Sequence, residues 1–284
     1  RGCADCMCRV YAPRCASRNF DCGVSQEMIP ESIPIVIDKP EFDSVEIYPI
    51  HDLHFGNECF DSHKWNALAE QILSKPNRFV VFVGDLMENA IPNSKSDMFT
   101  QTATPREQMD FVTSVFRQFK DRTLAIIDGN HEFNRSTRTA GLYPLYNSAC
   151  ISGVDEMYRS AYAVLDFGFG NINERRSRAV GFICHRAKDL KTFASVDAIE
   201  GFDFMFCGHD HDPKDHARAH LQYDRQRREI SLKSVEQVNS GSFLTFGGYG
   251  ARNGYRPQSD KMYKLVLYAR KHRQKAIETV GFYV

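Results

Sequence analysis

The sequence lacks both a long apolar run and an excess of charge of either sign. A membrane-spanning helix needs about 20 consecutive apolar residues, and the 284 residues contain no such run. Lys plus Arg and Asp plus Glu both number 36, so the formal net charge is zero. These absences leave no global indication of a membrane protein or of a nucleic-acid-binding protein. We therefore predict no membrane partner.

The first residues lack a Met and an apolar signal core, so the sequence could be that of a fragment or of a processed product. Cys184 and Cys207 lie inside apolar runs, where a buried, reduced thiol is the expected state. Disulfides are rare in reducing compartments. We therefore predict a cytoplasmic location.

Five of the nine cysteines fall within the first 22 residues. The spacing of four of them resembles a zinc clip, which would be formed by Cys3, Cys6, Cys15 and Cys22. Disulfides, or free thiols in an unstructured segment, are the alternatives. A segment this short needs a metal or a cross-link to fold, so we treat residues 1–24 as a separate Cys-rich head.

Residues 25–44 contain Pro30, Pro34 and Pro40 together with an acidic excess. Proline disfavours the helix interior, so this range is predicted to be an extended linker or an edge segment. Regular patterns begin near Val45. We therefore predict one domain over residues 45–284.

Within this domain, strand-like runs alternate with helical patterns. Residues 61–73 place apolar side chains on one helical face, and Thr104 and Glu107 form a capping box around Pro105. A short helix is predicted near residues 189–196. Strands alternating with helices imply a sheet covered by helices. The predicted strands cover residues 45–50, 79–83, 123–127, 161–167, 179–184, 202–207, 217–223, 226–232, 234–239, 262–269 and 277–284.

Five of the apolar runs end in residues that can bind metal ions. In open α/β sheets, ligands bind at the carboxyl ends of the strands, and the glycines beside three of these runs allow close backbone approach. Each motif alone is better explained as a turn, a helix cap or a core histidine. Five in order are hard to obtain from core packing alone. The run ends are Asp52-Leu53-His54, Gly84-Asp85, Asp128-Gly129-Asn130-His131-Glu132, His185 and Gly208-His209-Asp210-His211.

Mixed carboxylate, amide and imidazole ligands suit manganese, iron or zinc better than calcium. Two such ions about 3.5–4 Å apart can clamp a phosphoryl group and convert a bridging water into a hydroxide nucleophile. A carboxylate must bridge the pair to offset their repulsion. Asp85 stands alone at its strand end and is the natural candidate.

Together these motifs resemble the ordered motif set of the calcineurin-like metallophosphoesterases. The resemblance covers about residues 45–245, and residues 239–242 resemble the Asn-Pro-Gly-Ser turn that often follows the last metal motif. Ser240 stands at the Pro position of that turn. The resemblance implies a four-layer α-β-β-α sandwich with a dimetal site at the carboxyl ends of the strands.

The resemblance also implies a role for each motif residue. Asp85 would bridge two divalent cations, with manganese expected first and iron, zinc or nickel as alternatives. His131 would face the leaving group, as general acid or as charge stabiliser. The remaining ligands would be Asp52, His54 and His211 for one metal, and Asn130, His185 and His209 for the other.

Three positions are unusual for the family. Glu132 replaces the Asp found in many members, and we expect it to be tolerated as a partner of a ligand. Arg186 follows His185 where some members have a small residue or His. His51 alternates away from Asp52, so we predict a buried histidine behind the site.

The predicted function is metal-dependent phosphoester hydrolysis, with a preference for phosphodiesters or nucleic acids. The preference rests on basic residues next to the metal motifs, which are ordinarily a solvated face but could contact nucleic acid. The alternatives are a phosphomonoesterase acting on proteins or nucleotides, and a non-catalytic, metal-stabilised nucleic-acid-binding or scaffold protein. The basic residues are Arg175, Arg176, Arg178, Arg186, Lys188, Lys191, Arg218, Arg225, Arg227 and Arg228.

Overall fold

A computed structural model describes residues 35–92, 94–170, 177–185, 201–226, 228–269 and 277–284. All of them belong to the larger of two units, Ser32–Val284. The Cys-rich head, with its predicted zinc cysteines, and the helix predicted near residues 189–196 lie outside the described residues. For these predictions nothing structural is added below.

Strands dominate the part of the chain that the structure describes. They are β1 (Ile35–Lys39), β2 (Ser44–Ile50), β3 (Arg78–Val83), β4 (Thr123–Ile127), β5 (Tyr158–Arg159), β6 (Tyr162–Phe169), β7 (Ser177–Cys184), β8 (Phe204–Phe206), β9 (Lys214–Asp224), β10 (Glu229–Asn239), β11 (Met262–Tyr268) and β12 (Ile277–Phe282). The α-helices are α1 (Ser62–Leu73), α2 (Pro105–Gln118), α3 (Asn130–Glu132), α4 (Arg138–Ala140), α5 (Pro144–Ser152) and α6 (Gly248–Arg252). A π-helical segment, Phe133–Thr137, joins α3 to α4.

The strands form two six-stranded sheets. The first has the order β12-β11-β2-β3-β4-β5, and its four strands from β2 to β5 are parallel. The second has the order β1-β6-β7-β8-β10-β9, with β8 parallel to both of its neighbours. Parallel strands point their carboxyl ends in one direction, so the motifs that follow β2, β3, β4, β7 and β8 can meet.

The two long helices begin where their capping residues predict. The Asp61 side chain accepts hydrogen bonds from the backbone N–H groups of His63 and Lys64 at the start of α1. At the start of α2, Thr104 and Glu107 form the reciprocal capping box, with Pro105 in the first helical position. Both helix predictions are confirmed. Each cap satisfies backbone donors that a helix leaves unpaired at its first turn.

Apolar side chains fill two main layers. One core lies between the two sheets and includes Phe79 and Leu165. A second core packs α1, α2 and α5 onto the outer face of the first sheet, around Phe82 and Phe116. The predicted α/β class is confirmed. Three of the four expected layers lie in the described residues.

The outer face of the second sheet carries a smaller cluster that contains both cysteines predicted to be buried, Cys184 and Cys207. Both are free thiols, and burial raises the pKa of Cys207 to about 12. The prediction of reduced, buried thiols is confirmed. The predicted location in the cell stays a prediction.

Several elements differ from the predicted pattern. The edge strand β1 lies within residues 25–44, which agrees with the predicted edge segment rather than with a linker, so the sheet begins before Val45. Residues 226–232 and 234–239 were predicted as two strands, whereas β10 runs through Lys233. That lysine is exposed, and an exposed charge interrupts an apolar run without ending a strand. The sequence also gave no prediction for α5 or β5. Across the described ranges, no helix has the length and apolar character needed to cross a membrane.

Replacing Leu68 with Ala should test the packing of α1 on the first sheet. Leu68 is fully buried, so the substitution should lower the free energy of unfolding by about 2–5 kcal/mol in urea titrations. Asn66 is exposed on the same helix, and Asn66→Ala should change it by less than about 0.5 kcal/mol. Equal effects of the two substitutions would contradict this packing.

Candidate metal centre

The structure brings all of the predicted site residues to the carboxyl ends of the strands. Three groups have ligand atoms within 4.8 Å of one another, and they share members. Asn130 joins through its Oδ1, 3.2 Å from His185 Nε2. The groups are Asp52 with His54 and His211, His54 with Asp85 and His131, and Asp85 with His185 and His209. The described site therefore draws on both sheets.

Five site residues adopt a backbone conformation that side chains usually avoid. Positive φ angles of 48° to 75° occur at Asp52, His54, Asp85, His209 and His211. Within the described ranges only two other non-glycine residues have a positive φ. Such residues cost about 1–3 kcal/mol each and persist where surrounding structure enforces them. The chain therefore turns sharply at each strand end, and the turn directs the side chain into the site.

The first group surrounds one carboxylate oxygen. Asp52 Oδ1 lies 3.3 Å from His211 Nε2 and 3.5 Å from His54 Nε2. The two imidazole Nε2 atoms are 3.1 Å apart. Asp52 is fully buried, and its Oδ1 accepts no hydrogen bond of regular geometry. One oxygen and two nitrogens thus converge on one point.

In the group of Asp85, His185 and His209, the His185 ring lies beside the Asp85 carboxylate. His185 Nδ1 donates to the carbonyl oxygen of Val83 at 2.6 Å, which leaves the lone pair of Nε2 directed into the site. That Nε2 lies 3.1 Å from Asp85 Oδ2. A hydrogen bond from one ring nitrogen to a backbone carbonyl is the usual way in which a protein orients a metal-binding histidine.

Asp85 belongs to two of the three groups, and it lies where the turns after β3 and β4 approach each other very closely. Its Oδ1 accepts a hydrogen bond from the His131 backbone N–H at 2.8 Å. A Cβ atom on Gly84 would lie 2.3 Å from Gly129 N, and one on Gly129 would lie 2.1 Å from Asp85 Oδ1. Only glycine fits at both positions. These two glycines therefore allow Asp85 to reach the centre of the site.

Charges in the site favour a bound cation. Burial raises the pKa of Asp52, but the charge of His211 outweighs this effect and holds that pKa well below its usual range. Burial lowers the pKa of His54, yet Asp52 and Glu88 raise it to about 10. Asp85 likewise raises the pKa of His185 to about 9 against the effect of burial. The carboxylates thus hold protons on the rings, and a divalent cation would take the place of those protons.

The donor set fits divalent transition-metal ions. Buried carboxylate, amide oxygen and imidazole nitrogen converge within hydrogen-bonding distance of one another, and Asp52 Oδ1 has no regular donor. Two imidazole nitrogens at 3.1 Å repel each other unless a proton or a cation lies between them. Ligands of this kind suit manganese, iron or zinc. The assignment of each residue to a metal stays a prediction.

His51 lies behind Asp52, as predicted, and orients it. His51 is fully buried, and its Nδ1 donates to Asp52 Oδ2 at 2.6 Å. The His209 backbone N–H donates to the same oxygen at 2.8 Å. On the other side of the ring, the Ser240 backbone N–H donates to His51 Nε2 at 2.9 Å. A proline at position 240, as in the family turn, has no N–H and could not make this hydrogen bond. The contact between the two unusual residues, Ser240 and His51, therefore requires a residue other than proline at position 240.

Glu132 is a partner of the predicted ligand Asp85, as expected. Its two oxygens accept four backbone hydrogen bonds of 2.8–3.0 Å. The donors are the N–H groups of Asp85, Leu86, Met87 and Gly129. Glu132 therefore holds the turns after β3 and β4 together and contacts the backbone of Asp85 rather than its carboxylate. The longer side chain of Glu, compared with Asp, spans both turns.

Two residues at the site were missed by the sequence analysis. Glu88 Oε2 lies 3.2 Å from His54 Nδ1, and Glu88 Oε1 lies 3.2 Å from Arg135 Nη1. Arg135 Nη2 lies 2.9 Å from His131 Nε2. Arg135 is four residues after His131, so both lie on one face of the helical segment. That spacing is the only signal in the sequence for this pair.

The contacts of His131 indicate which of its ring nitrogens carries the proton. Its Nδ1 donates to the backbone carbonyl oxygen of Glu88 at 2.9 Å, and its Nε2 accepts from Arg135. Burial lowers the pKa of His131 to about 4. In this arrangement Nε2 carries no proton that it could give to a leaving group. The contacts therefore do not support the general-acid role, and the role of His131 stays a prediction.

A scan against protein-family models gives no match, and a search of curated proteins gives none. Solved structures similar to the chain include a Streptococcus pneumoniae protein described as a predicted phosphoesterase, at 12% identity, TM-score 0.38 and coverage of 85% and 99% of the two chains. The calcineurin-like phosphoesterase YfkN of Bacillus subtilis has 12% identity, TM-score 0.38 and coverage of 84% and 90%. Vps29 of Entamoeba histolytica, complexed with zinc, has 10% identity, TM-score 0.39 and coverage of 84% and 98%. These values are too low to assign a function, which rests on the site itself.

Replacing Ser240 with Pro should weaken metal binding by removing the N–H that holds His51. Losing such a partner of a ligand costs about 10–100-fold in metal affinity. Ser240→Ala is the matched control, because both variants lose the hydroxyl and only Pro loses the N–H. Titration calorimetry with Mn²⁺ measures the difference. Equal affinities of the two variants would show that the His51 contact does not orient Asp52.

Proposed function

We propose that the chain is a metal-dependent phosphoester hydrolase with a dinuclear metal centre. The observation that carries this proposal is the position of Asp85, a buried carboxylate that shares one candidate metal group with His54 and another with His185 and His209. A carboxylate shared by two adjacent groups is the arrangement that a bridged pair of divalent cations requires.

The proposed ligands are those that the family resemblance implies, and Asp52, His54 and His211 also form one of the three candidate groups. Asp52, His54 and His211 would hold one ion, Asn130, His185 and His209 would hold the other, and Asp85 would bridge them. When bound, two such ions supply Lewis-acid charge to the phosphoryl oxygens and activate water for attack on phosphorus. Manganese is proposed first, with iron, zinc or nickel as alternatives, because imidazole and carboxylate ligands accept all of them.

The remaining residues act on the leaving group. His131 and Arg135 adjoin the His54 side of the site, where Arg135 is 2.9 Å from His131 Nε2 and is held by Glu88. The Arg135 guanidinium, fixed in this way, can stabilise the negative charge that develops on the departing oxygen. His131 orients the guanidinium rather than donating a proton. A water molecule would then supply the proton to the departing alcohol.

The choice between diesters and monoesters stays open in this proposal. The preference for diesters or nucleic acids rested on basic residues, of which Arg175, Arg176, Arg186, Lys188, Lys191 and Arg227 lie outside the described residues. Arg178 is described, and its Nε donates to Asp166 at 2.9 Å. The described contacts therefore add no support to a nuclease, and substrate comparison must decide.

Replacing Asp85 with Asn should reduce turnover by more than about 100-fold, beyond the loss expected for a residue that only orients a ligand. The reason is that a neutral amide cannot offset the repulsion between two cations. The measurement is hydrolysis of a chromogenic phosphodiester and of its monoester, with Mn²⁺ and with chelator. Asp110→Asn, at an exposed residue that pairs with Arg106, is the control and should retain activity.

Manganese-dependent hydrolysis that survives in Asp85→Asn would contradict the bridging role. Bound metal without hydrolysis of either ester, in wild-type protein, would contradict the proposal as stated and favour the non-catalytic alternative.

A further inference from the structure

A cavity of about 210 Å³ lies beside the candidate metal centre. Glu88 forms part of its wall and also lies 3.2 Å from His54 Nδ1. Asn57, another wall residue, donates from its Nδ2 to Glu88 Oε2 at 3.0 Å. The cavity is therefore separated from a candidate metal ligand by a single side chain.

The cavity lies on the side of the site where the leaving group would depart. Glu88 contacts Arg135 through Oε1, and its backbone carbonyl accepts from His131 Nδ1. The proposed function places His131 and Arg135 beside the departing oxygen. An alcohol attached to that oxygen would extend past Glu88, and the cavity is the described space that adjoins Glu88.

The lining consists entirely of polar and charged residues. Glu58 and Glu88 supply carboxylates, Asn57 and Gln101 supply amides, and Thr100 supplies a hydroxyl. A hydroxyl group on a ligand both donates and accepts, so it can be satisfied by carboxylates and amides together. Asn57, Gln101 and Thr100 already hydrogen-bond within the protein, so a ligand hydroxyl would use their remaining capacity and the Glu58 carboxylate. An apolar or aromatic alcohol would displace water from these groups without replacing its hydrogen bonds, at a cost in affinity.

Among the described residues, no aromatic side chain lines the cavity, which argues against a nucleobase as its ligand. Recognition of a nucleobase depends largely on stacking against aromatic rings. Phe99 is nearby in sequence, but its side chain is 88% exposed and does not line the cavity. The volume is also below the range of about 300–1,000 Å³ that is typical of larger ligands. The cavity therefore suits one small chemical group that carries no nucleobase.

We propose that this cavity binds the leaving-group alcohol and selects a small, hydroxyl-rich one, so that the substrate is a phosphoester of a sugar or a polyol. The inference rests on the proposed function and specifies its substrate class. Lys95 and Arg252 also line the cavity. They offset part of the negative charge of Glu58, Glu88 and Asp97, which line the same cavity.

The test compares kcat/KM for glycerol phosphate and a hexose phosphate with that for benzyl phosphate, and repeats the comparison with the methyl diesters of the same alcohols. Benzyl alcohol and the polyols are leaving groups of similar basicity, so the comparison reports on binding of the alcohol. We expect the hydroxylated substrates to react at least about 10-fold more efficiently, because one or two extra hydrogen bonds contribute this much. A preference for the benzyl esters would overturn the proposal.

Variants locate the effect in the cavity. Glu58→Ala and Thr100→Val should each raise KM for the hydroxylated esters about 3–10-fold, the effect of one lost hydrogen bond, and should not raise KM for the benzyl esters. Glu70→Ala, at an exposed residue of α1, is the matched control and should change neither. Equal changes for both classes of ester would overturn the assignment of the cavity.

A binding measurement separates this inference from the proposed function. Saturation-transfer NMR would compare binding of the free hexose with binding of benzyl alcohol to the whole chain, which needs no turnover. Hexose binding that is lost in Glu58→Ala supports the cavity even if no ester is hydrolysed, in which case only the proposed function fails. Absence of hexose binding, or stronger binding of benzyl alcohol, overturns the inference while leaving hydrolysis to be judged on its own.

Discussion

The close approach of the turns after β3 and β4 is the constraint on which the site depends. Gly84 and Gly129 lie so near each other that a Cβ atom on Gly84 would be 2.3 Å from Gly129 N. This contact places Asp85 between residues delivered by both sheets. Glu132 holds it in place with four hydrogen bonds to backbone N–H groups. Those bonds offset part of the backbone strain that the positive φ angles of the site residues impose.

The candidate ligands could be predicted from the sequence because each one directly follows its own strand along the chain. A strand that ends in Asp, Asn or His delivers that side chain to the carboxyl edge of its sheet, and this was predicted for Asp52, Asp85, His185 and His209. The strands β2, β3 and β4 were predictable from local patterns of apolar residues. For β1 the linker and the edge segment stayed as alternatives, because the prolines around it indicate an extended segment whether or not it pairs.

The supporting contacts could not be predicted, because they join residues that are distant in the sequence. The Ser240 N–H meets His51 across 189 positions of the chain. Both residues looked like departures from the family pattern when considered singly, and the structure shows that one depends on the other. Glu88 and Arg135 likewise acquire a role only when β3 and the helical segment after β4 are placed together. Glu88 then connects His54 to the neighbouring cavity.

The central claim is that Asp85 joins two metal ions in one centre, and electron paramagnetic resonance of the Mn²⁺-loaded protein tests it most directly. Two ions bridged by a carboxylate lie about 3.5–4 Å apart and are coupled by exchange. The account predicts the multiline spectrum of a coupled manganese pair when two equivalents are bound. A simple six-line spectrum of isolated ions at full occupancy would contradict it.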